Sequence, residues 1–151
     1  MLRSVREHIQ SQKGFSLIEL LVVTAVIGIL AAMGLPAFLG EQTKGHDASA
    51  KSNARNVVSA VESCYAETKS YEDCDSVTEL DATDTQPGVE LTDTTTQKKG
   101  AVSVDADGNT FEIAGYSQSN NAFVIAKATD GTFTRSCTTG GSGGCKTGDV
   151  W

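Results

Sequence analysis

The sequence predicts an α+β fold: a long N-terminal α-helix, apolar and then amphipathic, packed on a small antiparallel β-sheet of three to four strands. Three observations carry this. Residues 15–39 are 25 successive positions holding a single charge, Glu19. Residues 41–70 then show one apolar stripe at helical spacing. Residues 101–137 alternate apolar and polar positions around two Asp–Gly turn signals.

The first element is cationic. Residues 1–14 carry Arg3, Arg6 and Lys13 against Glu7, as expected of a segment held on the cytoplasmic side of a membrane. The apolar run that follows is long enough to cross a bilayer with tilt, at ~37 Å for a helix rising ~1.5 Å per residue. An ordinary signal peptide fits less well, because its apolar region is shorter and ends at small residues. A plain anchor has no need of Glu19, since a carboxylate in a spanning helix is costly and usually has a partner; snorkelling to the interface is the bland alternative. Gly28, Gly34 and Pro36 weaken the same helix, through close packing or through local melting.

Over residues 41–70, Ala50, Ala54, Val57, Val58, Val61 and Tyr65 form the stripe, with Lys51, Asn53, Arg55 and Glu62 largely off it. This half is expected to lie against a sheet. Residues 81–100 are rich in Thr and Asp and contain Pro87–Gly88, which predicts a surface loop with a short strand at 89–91. Strands are predicted near 101–105 and 110–117 around Asp107–Gly108, and a second hairpin around Asp130–Gly131. The run Asp105–Asn109 followed by Glu112 faintly resembles a calcium loop, but it lacks ligands at the required spacing, so a hairpin turn is expected and no metal.

Four cysteines, Cys64, Cys74, Cys137 and Cys145, follow an export-type segment, which points to two disulfides in an oxidising compartment. Parity leaves three connectivities. Local closure favours Cys64–Cys74 and Cys137–Cys145, each bracketing turn-prone sequence. Nothing in the chain suggests a catalytic centre. His46 is the one histidine beyond the leader, and no phosphate-binding loop or metal cluster accompanies it; a membrane-anchored hydrolase is the remote alternative. No cofactor is expected. A net charge of −7 argues against nucleic acid binding along the bulk surface.

The stretch "KGFSLIELLVV", residues 13–23, resembles the class III signal of type IV pilins and the related type II secretion pseudopilins. The resemblance implies cleavage by a prepilin peptidase between Gly14 and Phe15, N-methylation of Phe15, and Glu19 as an assembly residue. It implies a leader at 1–14, a transmembrane or filament-core helix at 15–40 and an extracellular head at 41–151, together shaped as a lollipop. Pro36 falls where such chains commonly bend. The disulfide-bounded C-terminal region also resembles many pilins. The implied function is a major structural subunit of a surface filament. Its implied partners are identical subunits, the peptidase, the membrane before assembly, and an assembly ATPase with its inner-membrane platform. Glu19 is then expected to pair with the amine of a neighbouring Phe15. A pseudopilin or a minor pilin is the alternative.

Overall fold

A computed structural model describes residues 14–82 and 87–151. The leader up to Lys13 and residues 83–86 of the Thr/Asp-rich stretch lie outside the described residues. The chain divides into two units, Met1–Phe38 and Leu39–Trp151. Helix α1, Leu17–Thr68, runs through both sequences. A 3₁₀ turn at Glu72–Cys74 and a short helix α2, Val77–Ala82, follow. The strands are β1 Leu91–Thr92, β2 Val102–Asp107, β3 Thr110–Tyr116, β4 Ala122–Lys127 and β5 Phe133–Cys137.

The sheet has five strands in sequence order, one more than the upper expectation. The added strand is β1, two residues displaced toward the C-terminus from its expected place and parallel to β2. At its start, Val102 N–H donates to Glu90 O at 2.9 Å. The other pairings are antiparallel, with Val104 opposite Ile113 and Ile113 opposite Ile125. The β2–β3 turn closes on the pair Asp107–Thr110, which leaves Gly108 and Asn109 as its central residues. Gly108 has φ +51°, the left-handed conformation that glycine adopts at least cost.

In the second unit the stripe on α1 covers one face of this sheet. Ala54, Val57, Ala60, Val61 and Cys64 join Val102, Val104, Phe111, Ile113 and Ile125 in one buried cluster. Val58 and Tyr65 are only partly buried at its margin. Helix and sheet approach closely at Gly115 on β3. A Cβ added there would stand 2.4 Å from the Ala50 carbonyl oxygen and 3.2 Å from Ala54 Cβ. Disulfides join Cys64 to Cys74 and Cys137 to Cys145. The first fastens the 3₁₀ turn back to the end of α1.

Helix α2 was not expected from the periodicity. Its start is a reciprocal capping box: Glu79 N–H donates to Ser76 Oγ at 3.3 Å, and Ser76 N–H donates to Glu79 Oε2 at 3.1 Å. The signal is Ser-x-x-Glu at residues 76–79, too local to show as an apolar period.

Candidate assembly and processing segment

In the first unit every described residue is exposed, including Phe15, Leu17, Ile18, Leu20, Leu21 and Ile27. Among the described residues, α1 is the one helix long and apolar enough to cross a membrane. Thr24 hides its hydroxyl by donating to Leu21 O at 2.9 Å, so the apolar surface carries little free hydrogen-bonding capacity beyond Glu19.

Gly14, Phe15 and Ser16 precede the helix without helical structure, and α1 begins at Leu17. Ser16 holds the N-cap position: its carbonyl accepts the first helical bond from Leu20 N–H at 3.3 Å. Glu19 Oε2 in turn accepts the Ser16 N–H at 2.8 Å. This is the carboxylate half of a capping box, Ser-x-x-Glu again, and it sets an acid at the positive end of the helix dipole. Glu19 therefore already has a partner within its own chain. One oxygen is used within the chain, and the other has no hydrogen-bond partner among the described residues.

Gly28, Gly34 and Pro36 all lie inside continuous helix. A Cβ at Gly28 or Gly34 would meet nothing within 4 Å. Within the chain these glycines therefore serve no close contact. Pro36 takes one N–H from the ladder, leaving the Ala32 carbonyl without its usual helical donor.

The head holds two polar junctions that periodicity did not reveal. The first is Asp47, fully buried on α1. Its Oδ1 accepts from Ser117 Oγ at 2.6 Å and from Ser119 Oγ. Its Oδ2 accepts from Gly144 N–H at 2.7 Å and from Asn121 Nδ2 at 3.2 Å. Burial works against ionisation, yet the donors from Gly144, Ser117, Ser119 and Asn121 outweigh it and hold the carboxyl below its ordinary value. Asp47 thus ties the helix to the β3–β4 loop and to the Cys137–Cys145 loop. Its neighbour His46 is half-buried rather than fully exposed. The second junction joins Lys127, Glu62 and Tyr71. Lys127 Nζ meets Glu62 Oε1 at 2.8 Å and also bonds Tyr71 Oη, which donates to Glu62 Oε2 at 3.0 Å. Burial opposes the Lys127 charge, but Glu62 and Tyr71 raise its pKa.

A family model described as the prokaryotic N-terminal methylation motif matches residues 9–35, a span that holds Gly14, Phe15 and Glu19. Relatives resemble longer stretches. The type IV major pilin protein PilA of Myxococcus xanthus is 41% identical over 61 residues, 40% of this chain and 28% of that protein. The type IV major fimbrial protein FimA of Dichelobacter nodosus is 38% identical over 63 residues, 42% of this chain and 40% of that protein. A fimbrial protein of Pseudomonas aeruginosa is 35% identical over 86 residues, 57% of this chain and 53% of that protein. The matched stretch thus spans from about a quarter to about half the length of these relatives. No solved structure matches the chain. The methylation motif and these relatives show that the N-terminal region of this chain, the exposed apolar helix with its single first-turn acid, is similar to that of type IV major pilins and fimbrial proteins.

Proposed function

We propose that the chain is the major structural subunit of a type IV pilus. In this reading a prepilin peptidase removes residues 1–14 and Phe15 becomes the N-methylated terminus. The precursor spans the cytoplasmic or inner membrane through residues 15–40, with residues 41–151 outside. Assembly machinery, an ATPase and a membrane platform, then moves the apolar helix from lipid into a filament core made of identical helices. Melting between Gly28 and Pro36 during that transfer belongs to the same reading.

The observation that carries the proposal is the helix from Leu17 to Leu39, apolar on all sides and exposed on all sides, with Glu19 in its first turn. A helix apolar all round must be buried in lipid or in other helices. Lipid accepts it at once. Other helices of its kind accept it as well, and then Glu19 has one oxygen free for the amine of a neighbouring Phe15.

The Glu19→Gln substitution separates the two roles of this side chain. Glutamine serves at the third position of a capping box as glutamate does, so the bond from Ser16 N–H survives. The negative charge does not. Membrane insertion and Gly14 cleavage are expected to stay intact while sheared filaments per processed membrane subunit fall steeply. A ratio equal to the parent's would refute the pairing. The mass and N-terminal sequence of the sheared subunit test the remainder: methylated Phe15 is expected, and a subunit still carrying Lys13 would overturn the processing.

A further inference from the structure

Side chains that the N-terminal segment does not use gather on the head in two patches of opposite sign. The first surrounds Trp151. Its ring packs edge-on against Phe123, with centroids 5.8 Å apart, and its Nε1–H donates to Val124 O at 3.3 Å. Around that ring lie Arg55 at 5.0 Å, Lys51 at 5.4 Å and Arg135 at 5.6 Å. Burial depresses the Lys51 pKa, Asp47 opposes this, and the nearby cations Arg55 and Lys146 add to it. Arg55 and Arg135 are exposed and have no carboxylate partner among the described residues. Arg135 belongs to β5, which ends the sheet on this side.

The second patch runs from the central strand β3 across β2 toward β1. Asp105 on β2 and Glu112 on β3 stand directly opposite each other, both exposed. Like charges so placed destabilise a ladder. Asp75, Asp93 and Asp105 line a groove of about 400 Å³ beside β1. Burial raises the Asp75 pKa, with Glu79, Asp105 and Glu72 adding to the effect.

Glu112 on β3 and Asp105 on β2 lie two and three strand spacings from Arg135 on β5, ~10 and ~14 Å at ~4.8 Å each. Both exceed a Debye length of ~8 Å at physiological ionic strength, so the exposed charges of the two patches are largely screened from each other within one chain. A second copy supplies each with its complement. We propose that the Arg55–Arg135–Trp151 patch of one head docks on the Asp105–Glu112–Asp75 patch of the next copy of this chain. The inference rests on the filament reading above and names the head surfaces that filament would use. Two different patches make a heterologous contact, in which each added copy leaves one patch of each sign free. Such a contact propagates instead of closing into a dimer. Rim charges of this kind set register and encounter rate more than raw affinity.

The test uses the full chain in assembling cells, with sheared filaments measured per processed membrane subunit. The Arg55→Glu/Arg135→Glu pair inverts one patch, and Asp105→Lys/Glu112→Lys inverts the other. Each pair alone sets like charge against like and is expected to lower the ratio roughly tenfold or more. All four changes together restore complementarity with both signs reversed, and the ratio is expected to return to within about threefold of the parent. Non-reducing peptide mapping confirms that both disulfides are retained in every variant. Unchanged ratios in both single-patch variants overturn the docking while leaving the filament reading in place. Losses that the combined variant fails to restore also overturn it, because the cations or acids then serve some other partner, such as a polyanion, or the fold of the head. A parent that forms no filaments refutes both readings.

Discussion

Replacing Asp47 tests whether one buried carboxylate holds the head together. Four donors converge on it, and they differ in kind. Ser117 and Ser119 present hydroxyls, which can rotate and accept instead. Gly144 N–H and Asn121 Nδ2 only donate. In Asp47→Asn the carboxamide oxygen is therefore expected to face Gly144 and Asn121, with the amide turned to the serines. The geometry survives, and the loss is of charge assistance: about 1.5–3 kcal/mol for a hydrogen bond to a charged group against about 1 for a neutral one, spread over the set. A net cost of about 2 kcal/mol follows. Asp47→Ala abandons every donor and is expected to cost about 3–5 kcal/mol, a large part of a domain's usual stability of about 5–15.

Chemical unfolding of the detergent-solubilised full chain, followed by Trp151 fluorescence, reads this directly. The chain has a single tryptophan, and it packs on Phe123 beside the Cys137–Cys145 loop. The pH dependence follows from the direction of the shift. The folded pKa lies below the ordinary 3.8, so the carboxylate's contribution is complete above that value and is lost as pH falls through the folded pKa. The gap between parent and Asp47→Asn should therefore be widest near neutrality and shrink below about pH 4. Equal midpoints for parent and Asp47→Asn at pH 7 would show that the charge adds nothing, and the reasoning would fail.

Three further outcomes are expected. Gly115→Ala should destabilise the head by about 1–3 kcal/mol, because the added methyl meets Ala50 backbone that can yield only if helix and sheet part; an unchanged denaturation midpoint would deny the close approach. Replacing Cys137 and Cys145 together by serine should cost about 2–3 kcal/mol from loop closure alone and should loosen Gly144 from Asp47, which hydrogen exchange at Gly144 would reveal. Lys127→Ala should cost about 1–3 kcal/mol in thermal unfolding, since the cation bonds Glu62 and Tyr71 and stands 4.8 Å from the Tyr71 ring centre; a smaller loss in Glu62→Gln than in Lys127→Ala would assign the difference to ring contacts.

Much of the fold could be read from residue order, because its signals are periodic or local. The apolar run 15–39, the stripe from Ala50 to Tyr65, and the alternation around Gly108 and Gly131 state helix, buried face and hairpins in turn. The cysteines could be paired by proximity, since each bridge spans eight or ten residues. The pilin-type signal is likewise contiguous. Two Ser-x-x-Glu boxes were also written there, at 16–19 and 76–79, but a capping box has no period, and reading one needs a helix already in mind.

Tertiary structure alone decided the rest. Asp47 looks like a solvated acid in sequence, and its four donors come from residues 117, 119, 121 and 144, which only the folded loops bring to it. A short strand could be expected near 89–91, but its parallel pairing with β2 at the sheet edge could not, because two residues carry no signal of their partner. Lys51, Arg55, Arg135 and Trp151 are spread over a hundred positions and become one patch when β5 lies beside the helix. The physical reason is the same in each case. Periodicity reports which face of an element is buried, whereas hydrogen-bond partners and charge patches depend on which elements become neighbours.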